Sequence, residues 1–236
     1  MNSALISSEQ LVFLPGNPQI SVVLRRSKRS KRLSLRISRI KGLVTLSLPL
    51  SCPLTQAKSF LIEKEPWIRK NLIALPTNIQ VCVGTQLLYR GNKFTIRMGQ
   101  GKKVIPEVSN LIVPGPQSMI SSRTKVFLKL QARQALRAST DFYAEALGRP
   151  YGKLTLRDTM SRWGSCSSAG NINYSWRLIM APSDVLNYVC AHEVAHLVEM
   201  NHSPKFWSIV EQLFPNYDQQ RNWLKVNGEN LHCYKF

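Results

Sequence analysis

The chain has 236 residues, enough for one large domain or two small ones whose core needs no covalent staples. It is 44% hydrophobic, and no apolar run approaches the ~20 residues that cross a bilayer, so the reading is a globular protein with no membrane partner. A formal charge of +19 favours polyanionic partners such as nucleic acid, nucleotides or acidic proteins, without choosing among them.

The opening stretch, MNSALISSEQLVFLPGNP, lacks the basic and then apolar regions of a secretory signal, and the expected location is the cytoplasm. The five cysteines (Cys52, Cys82, Cys166, Cys190 and Cys233) are odd in number, scattered and without a CxxC pair. They read as free thiols in a reducing compartment.

The first half reads as β. A dense basic run, Arg25, Arg26, Lys28, Arg29, Lys31 and Arg32, stands before the first expected strand. It is either a solvated edge that discourages strand-to-strand aggregation or a contact for nucleic-acid phosphates. Leu33, Leu35 and Ile37 then alternate with polar residues, Lys41 and Gly42 make a turn, and Val44, Leu46 and Leu48 alternate again, as in a hairpin with one buried face. Helical spacing follows at Phe60, Leu61, Trp67 and Ile68, with Pro66 marking a kink or the start of a second helix. TQLLYRGNKFTIRMG is a second hairpin turning at Arg90-Gly91-Asn92, and LIVPGP is a further strand.

From about Met119 to Leu147 the pattern becomes helical, with Val126, Phe127, Leu130, Ala135 and Leu136 on one side and Gly148 as the stop. The composition break divides a β-rich N-terminal region, 1–118, from a second domain, 119–236. In that second domain Leu154 and Leu156 alternate with polar neighbours, Ser167 to Gly170 is turn chemistry, and Ile172, Tyr174, Trp176 and Leu178 share a face. A hairpin therefore leads into the segment AHEVAHLVEMNHSPKFW.

That segment holds three of the four histidines. Pro182, Ser183 and Asp184 supply helix-start signals, and Val185, Tyr188, Val189 and Ala195 continue at helical spacing. His192 and His196, four apart, project from one face one turn apart and can share a metal ion. Glu193 stands beside the first of them, able to reach a metal-bound water without being a ligand. A catalytic zinc takes three protein ligands and keeps one open position, and His202 is the third candidate, with Glu211 as its rival. Asn201 is expected to turn the chain back in the left-handed region, Ser203 to cap the next helix and Pro204 to open it. Phe206, Trp207, Ile209, Val210 and Leu213 give that helix its apolar face.

Zinc lowers the pKa of a bound water to about 7, and Glu193 is placed to act as general base. Tyr217, Arg177 and Arg162 are candidates for stabilising the oxyanion. An exposed strand edge near the metal, with Gly164 in it, would align an extended peptide. Trp176 reads as core, Trp163 is left open between core and site, Cys166 is an inert thiol or a fourth ligand in a latent state, and His232 reads as a surface group.

The blocks SRWGSCSSAGNINYSWRLIMAP, NYVCAHEVAHLVEMNHSPKFW and FPNYD resemble the YgjP-like metallopeptidase-domain family. The upstream stretches RRSKRSKRLSLRIS, EPWIRKNL and GTQLLYRGNKFTI fall in the family's order, so the likeness runs from about Val22 to Leu224. The resemblance implies an α+β fold, a zincin-like catalytic domain with a small antiparallel sheet and the HExxH helix below the cleft. It implies zinc on His192, His196 and His202, with Glu193 as the base. At the motif the family is similar to SprT-type and WLM-type proteases, which act on proteins attached to DNA. The ligand spacing also matches metzincins, but Glu199 stands where they place a glycine.

The expected function is a zinc-dependent metallopeptidase acting on protein or peptide. Two alternatives are a metal-dependent hydrolase of nucleotide phosphoanhydrides and a protease associated with nucleic acid. No Walker-type glycine loop is present, so a nucleotide would be held by arginine and lysine side chains.

Overall fold

The computed structural model describes residues 9–38, 42–73 and 77–236. The chain forms two compact units, Met1–Thr77 and Asn78–Phe236. The change of composition near residue 118 falls inside the second unit, where strands give way to a long helix.

The first unit is a four-stranded sheet with two helices. Its strands are β1 (Glu9–Leu14), β2 (Ile20–Arg26), β3 (Ser34–Ile37) and β4 (Val44–Leu48), in the order β1-β2-β4-β3. β3 and β4 form the expected antiparallel pair, although Lys41 of their turn lies outside the described residues. β4 also runs parallel to β2. Two strands thus precede the one expected first, and Arg25 and Arg26 belong to β2 rather than to a run before the sheet. Arg26 is tied down, its guanidinium donating to the carbonyls of Leu50 and Cys52 at 2.8 Å each. Ile20, Val22, Leu24, Val44, Leu46 and Leu48 are buried against Ala57 and Leu61 of α1 (Leu54–Glu63) and Ile68 of α2 (Glu65–Ile73). Pro66 sits in the first turn of α2, where its missing N–H costs nothing, so it starts a helix rather than kinking one.

The second unit begins with β5 (Ile79–Gln80), followed by the hairpin of β6 (Gln86–Tyr89) and β7 (Asn92–Gly99). Both turn residues, Arg90 (φ 51°) and Gly91 (φ 80°), are left-handed, as a two-residue hairpin requires. β8 (Ile105–Glu107) and β9 (Asn110–Pro114) complete a sheet of order β6-β7-β9-β8. α3 (Gln117–Leu147) then runs for 31 residues and stops at Gly148, which is left-handed at φ 63°. Its buried stripe is Ile120, Thr124, Leu128, Ala132, Leu136 and Thr140, whereas Val126 and Leu130 face solvent, contrary to the sequence reading. The two buried threonines are satisfied by the carbonyls four residues back, at 2.7 Å for Thr124 and 2.6 Å for Thr140.

A second sheet comprises β10 (Leu154–Arg157), β11 (Gly164–Cys166) and β12 (Ile172–Ser175), in the order β10-β12-β11. The expected hairpin is β11–β12, but β10 runs parallel to β12, so the sheet is mixed rather than antiparallel throughout. The chain leaves the sheet after Arg157 because Asp158 turns to pair with Arg177. Trp176 and Leu178, expected on the strand, fall in a 3-10 turn (Trp176–Met180) and are buried there. Helices α4 (Ser183–Ala195), α5 (Pro204–Leu213) and α6 (Tyr217–Asn227) follow, then a 3-10 turn (Gly228–His232) and β13 (Tyr234–Lys235), which pairs with β5. The α+β class holds. Among the described residues no helix is long and apolar enough to cross a membrane.

Candidate metal centre

α4 is held at both ends by neighbours that fix where its histidines lie. The tip of the β6–β7 hairpin donates from the backbone N–H groups of Arg90 and Gly91 to the carbonyls of Ile179 and Met180, at 2.8 and 3.2 Å. A Cβ on Gly91 would lie 2.9 Å from Cα of Pro182, the residue that caps α4. Val185, Tyr188, Val189 and Ala195 are buried, as the periodicity predicts.

The helix ends at Ala195, leaving His196 as its C-cap (φ −65°, ψ −16°). The chain then turns so that the Glu199 carbonyl lies 3.0 Å from His196 Nδ1. A carbonyl can only accept, so Nδ1 carries the proton and Nε2 keeps its lone pair. Asn201 is not left-handed. Its side-chain oxygen accepts from the backbone N–H of Ser203 at 2.9 Å and closes the corner that way. Ser203 caps α5 by accepting from the Phe206 N–H at 3.3 Å, with Pro204 opening the helix, both as expected. The corner swings His202 back until its Nε2 lies 3.1 Å from Nε2 of His192.

One ring nitrogen from each of His192, His196 and His202 falls within 4.8 Å of the others. Tetrahedral bonds of about 2.0–2.1 Å to a single ion place ligand nitrogens about 3.4 Å apart, so the cluster needs only small adjustments to hold one. Burial, then the neighbouring imidazoles and Arg221, push His192 down to about 3. Burial lowers His196 as well. Two imidazole nitrogens 3.1 Å apart must share either a proton or a cation, and the lowered pKa keeps the His192 ring neutral, the form that binds a metal. His192 Nδ1 is buried without a hydrogen-bond partner, so nothing else in the protein claims this ring. The donor set fits a divalent metal ion.

Phe206 lies beneath the cluster. Its ring stacks on His196 at 4.4 Å and meets His192 and His202 edge-on at 4.9 and 4.8 Å. In the sequence Phe206 is one more apolar residue of α5. Its position under three imidazoles follows only from the corner at Asn201. Trp207 forms a side wall, stacked on Tyr217 at 5.1 Å with the Arg221 guanidinium 4.5 Å from its ring.

Glu193 is 5% exposed. Burial pushes its carboxyl up to about 8, and the positive charge of Arg162 works against that. Gly164 of β11 lies against it so closely that an added Cβ would sit 2.6 Å from both Cγ and Cδ of Glu193. That is a stricter demand than the permissive backbone read from the sequence. β11 is an edge strand, so this glycine lies on a free sheet edge beside the carboxyl.

The other candidates separate clearly. Tyr217 stands in the aromatic wall and stacks on Tyr188, whose ring meets His192 edge-on. Arg177 is buried elsewhere, paired with Asp158 at 2.7 Å and donating to the Leu231 and Tyr234 carbonyls, so it is structural rather than an oxyanion group. Glu211 accepts from the Asn216 N–H and stays outside the histidine cluster. Cys166 is also outside the cluster, and burial and the charge of Glu193 push its thiol up to about 11. His232 is not a surface group. It is 4% exposed and its ring lies tilted against Trp163, 5.1 Å between centres, while Trp163 packs against Gly228.

No protein of curated function matches the sequence. A crystal structure of the metallopeptidase zymogen of Pyrococcus abyssi abylysin superposes with a TM-score of 0.35 at 23% identity, over 39% of this chain and 95% of that one. The family model described as YgjP-like, metallopeptidase domain matches residues 31–227, a span that takes in all three clustered histidines and Glu193. The chain therefore belongs to the YgjP-like metallopeptidase-domain family and is a metal-dependent peptidase with protein or peptide as its substrate class.

Proposed function

We propose that the protein is a zinc-dependent endopeptidase in which His192, His196 and His202 hold the metal and Glu193 is the general base. The observation that supports this best is the convergence of three imidazoles, the first of them next in the chain to the buried carboxyl of Glu193. An all-imidazole donor set with room for one further ligand suits zinc among the biological divalent ions. Bound there, zinc supplies Lewis acidity, lowering the pKa of a water and polarising the scissile carbonyl.

The chain's own residues do the rest. Glu193 takes the proton of the attacking water on a carboxylate oxygen and passes it to the departing nitrogen. Its burial favours the protonated carboxyl, and the positive charges of Arg162 and of a bound dication both oppose that. The Glu199 carbonyl fixes the tautomer and orientation of His196. The free edge of β11 offers backbone pairing to an extended substrate passing Glu193. Tyr217 is the candidate donor to the developing oxyanion. All five cysteines are free, which supports a reducing, cytoplasmic setting.

Glu193→Gln tests the assignment. The variant keeps one zinc per chain by elemental analysis and loses casein cleavage by about 10²–10⁴-fold, the usual worth of a positioned base. A Glu193→Gln protein that cleaves at the wild-type rate rules Glu193 out as the base, and a wild-type chain that takes up no metal removes the zinc assignment.

A further inference from the structure

The aromatic wall beside the histidines carries a positive charge that the mechanism above does not use. Three helices build this wall. Tyr188 stands on α4 one turn before His192, Trp207 stands on α5, and Tyr217 on α6. The Tyr217 ring lies nearly parallel to both of the others, at 16° to Trp207 and 10° to Tyr188, with centres 5.1 and 6.1 Å apart. Arg221 follows Tyr217 by one helical turn and so projects from the same side of α6. Its guanidinium reaches the Trp207 ring at 4.5 Å, and that ring is 5.7 Å from His192 and 5.8 Å from His202. The charge is therefore one indole away from two of the three clustered imidazoles.

The arginine is held in place without being neutralised. Contact with an indole ring holds a guanidinium and leaves its N–H donors uncommitted. Among the described residues its one ion pair is with Asp218, three residues back on α6, and that separation of 3.6 Å is longer than a hydrogen bond. The two side chains are 55% and 78% exposed, a setting in which an ion pair contributes little. Glu211, the other acid near Tyr217, is turned to the Asn216 N–H at 3.3 Å. At the Tyr188 hydroxyl the charge of Arg221 outweighs that of Asp218, so the wall is positive on the side that faces α4.

We propose that Arg221 is a specificity-determining residue of the peptidase and selects chains with an aspartate or glutamate beside the scissile bond. The inference rests on the function proposed above. A chain whose scissile bond lies at the histidines brings its neighbouring side chains over this wall, and an acidic side chain spans the width of one indole. A carboxylate meets a guanidinium through two parallel N–H···O bonds, a geometry that Asp218 does not make. An amide of the same shape lacks the charge, and a lysine is repelled. Because Trp207 already holds the guanidinium, little side-chain freedom is lost when the substrate arrives.

The test uses the zinc-loaded full chain on a random peptide library, with the cuts read by mass spectrometry. A matched pair of peptides then differs only by Glu or Gln at the position that the library selects. The wild type is expected to enrich acidic residues beside the cut and to favour the Glu peptide about five- to tenfold in kcat/KM at low salt, the difference shrinking as salt is raised. Arg221→Gln removes the preference, Arg221→Lys retains part of it, and Arg221→Glu turns it towards lysine. Asp218→Asn, which frees the guanidinium, sharpens it. A purely structural part in holding Trp207 would change the rates on both peptides alike and leave their ratio unmoved. The same pair is titrated by calorimetry into Glu193→Gln, which reads binding without cleavage. Cuts with no acidic enrichment, or a ratio that Arg221→Gln leaves as it was, overturn the inference while the peptidase reading stands. Peptides neither cut by the wild type nor bound by Glu193→Gln overturn both.

Discussion

Gly164→Ala asks whether the carboxyl of Glu193 must occupy the place it holds. Gly164 is not in the left-handed region, so its backbone accepts a side chain without strain. The obstacle is tertiary: the new Cβ would lie 2.6 Å from Cγ and Cδ of Glu193 and would also meet Oε1. Ordinary carbon contacts are about 3.5–4.0 Å, so the two groups must part by about 1 Å. A glutamate side chain rotates more cheaply than a paired strand moves, and β11 is anchored by Gly164 opposite Tyr174 and Ser165 opposite Asn173. The carboxyl therefore yields. Overpacking of this kind costs at most about 1–3 kcal/mol of stability, the lower end applying where a flexible side chain absorbs it. The functional cost is larger, because a displacement of about 1 Å at a reacting group lowers the rate about 100-fold, or about 2.7 kcal/mol of barrier. The assay is casein cleavage, with thermal unfolding and metal content measured on the same samples. Fold and metal are retained, activity falls, and Gly164→Ala adds little in a Glu193→Gln background because both changes strike one group. Undiminished cleavage by Gly164→Ala, or a full further loss in the double variant, refutes the reasoning.

Three further outcomes are expected. His202→Ala leaves two imidazoles on α4, weakens metal binding at least about tenfold and abolishes cleavage, while circular dichroism stays native because the corner is capped by Ser203 rather than by the ring. Asp158→Asn strips the buried Arg177 of its anion and lowers stability by about 2 kcal/mol, less than for a fully buried pair because Asp158 keeps 40% of its side-chain surface in water; urea unfolding checks this. Burial, then the charge of Arg177, hold His232 down at about 4, against an ordinary 6.5. The unfolded chain thus takes up a proton that the folded one refuses as pH falls from about 6.5 to about 4. Stability drops across that window and is unaffected above it. Comparing wild type with His232→Phe at pH 7 and pH 5 isolates about 2 kcal/mol of that dependence, and parallel pH profiles refute the assignment.

The histidine cluster was legible because its signals are local. Four-residue spacing sets one helical face, and Ser203-Pro204 announces the next helix. The corner itself was read with the wrong device: Asn201 acts through its side chain, not through a left-handed backbone. His232 was misread, and the further roles of Phe206 and Gly164 were missed, for a common reason. Each owes its role to a residue remote in sequence, and a single letter carries no trace of that neighbour. The strand β2 had a readable signal in the alternation of Ile20, Val22 and Leu24, which the conspicuous charges after it obscured. On α3 the buried stripe includes Thr124, Ala132 and Thr140, residues small or only weakly apolar, so the brighter Val126 and Leu130 pointed to the wrong side.

The seat of Gly91 against Pro182 makes the β6–β7 hairpin the mounting for a rigid rod. α4 is 13 residues long, so any push at its cap travels about 20 Å to the far end, where the histidines are. A side chain at Gly91 would have to lift Pro182, and the rod with it, whereas the imidazoles tolerate only fractions of an ångström. A turn about a hundred residues upstream of the three histidines thereby constrains their alignment without touching them.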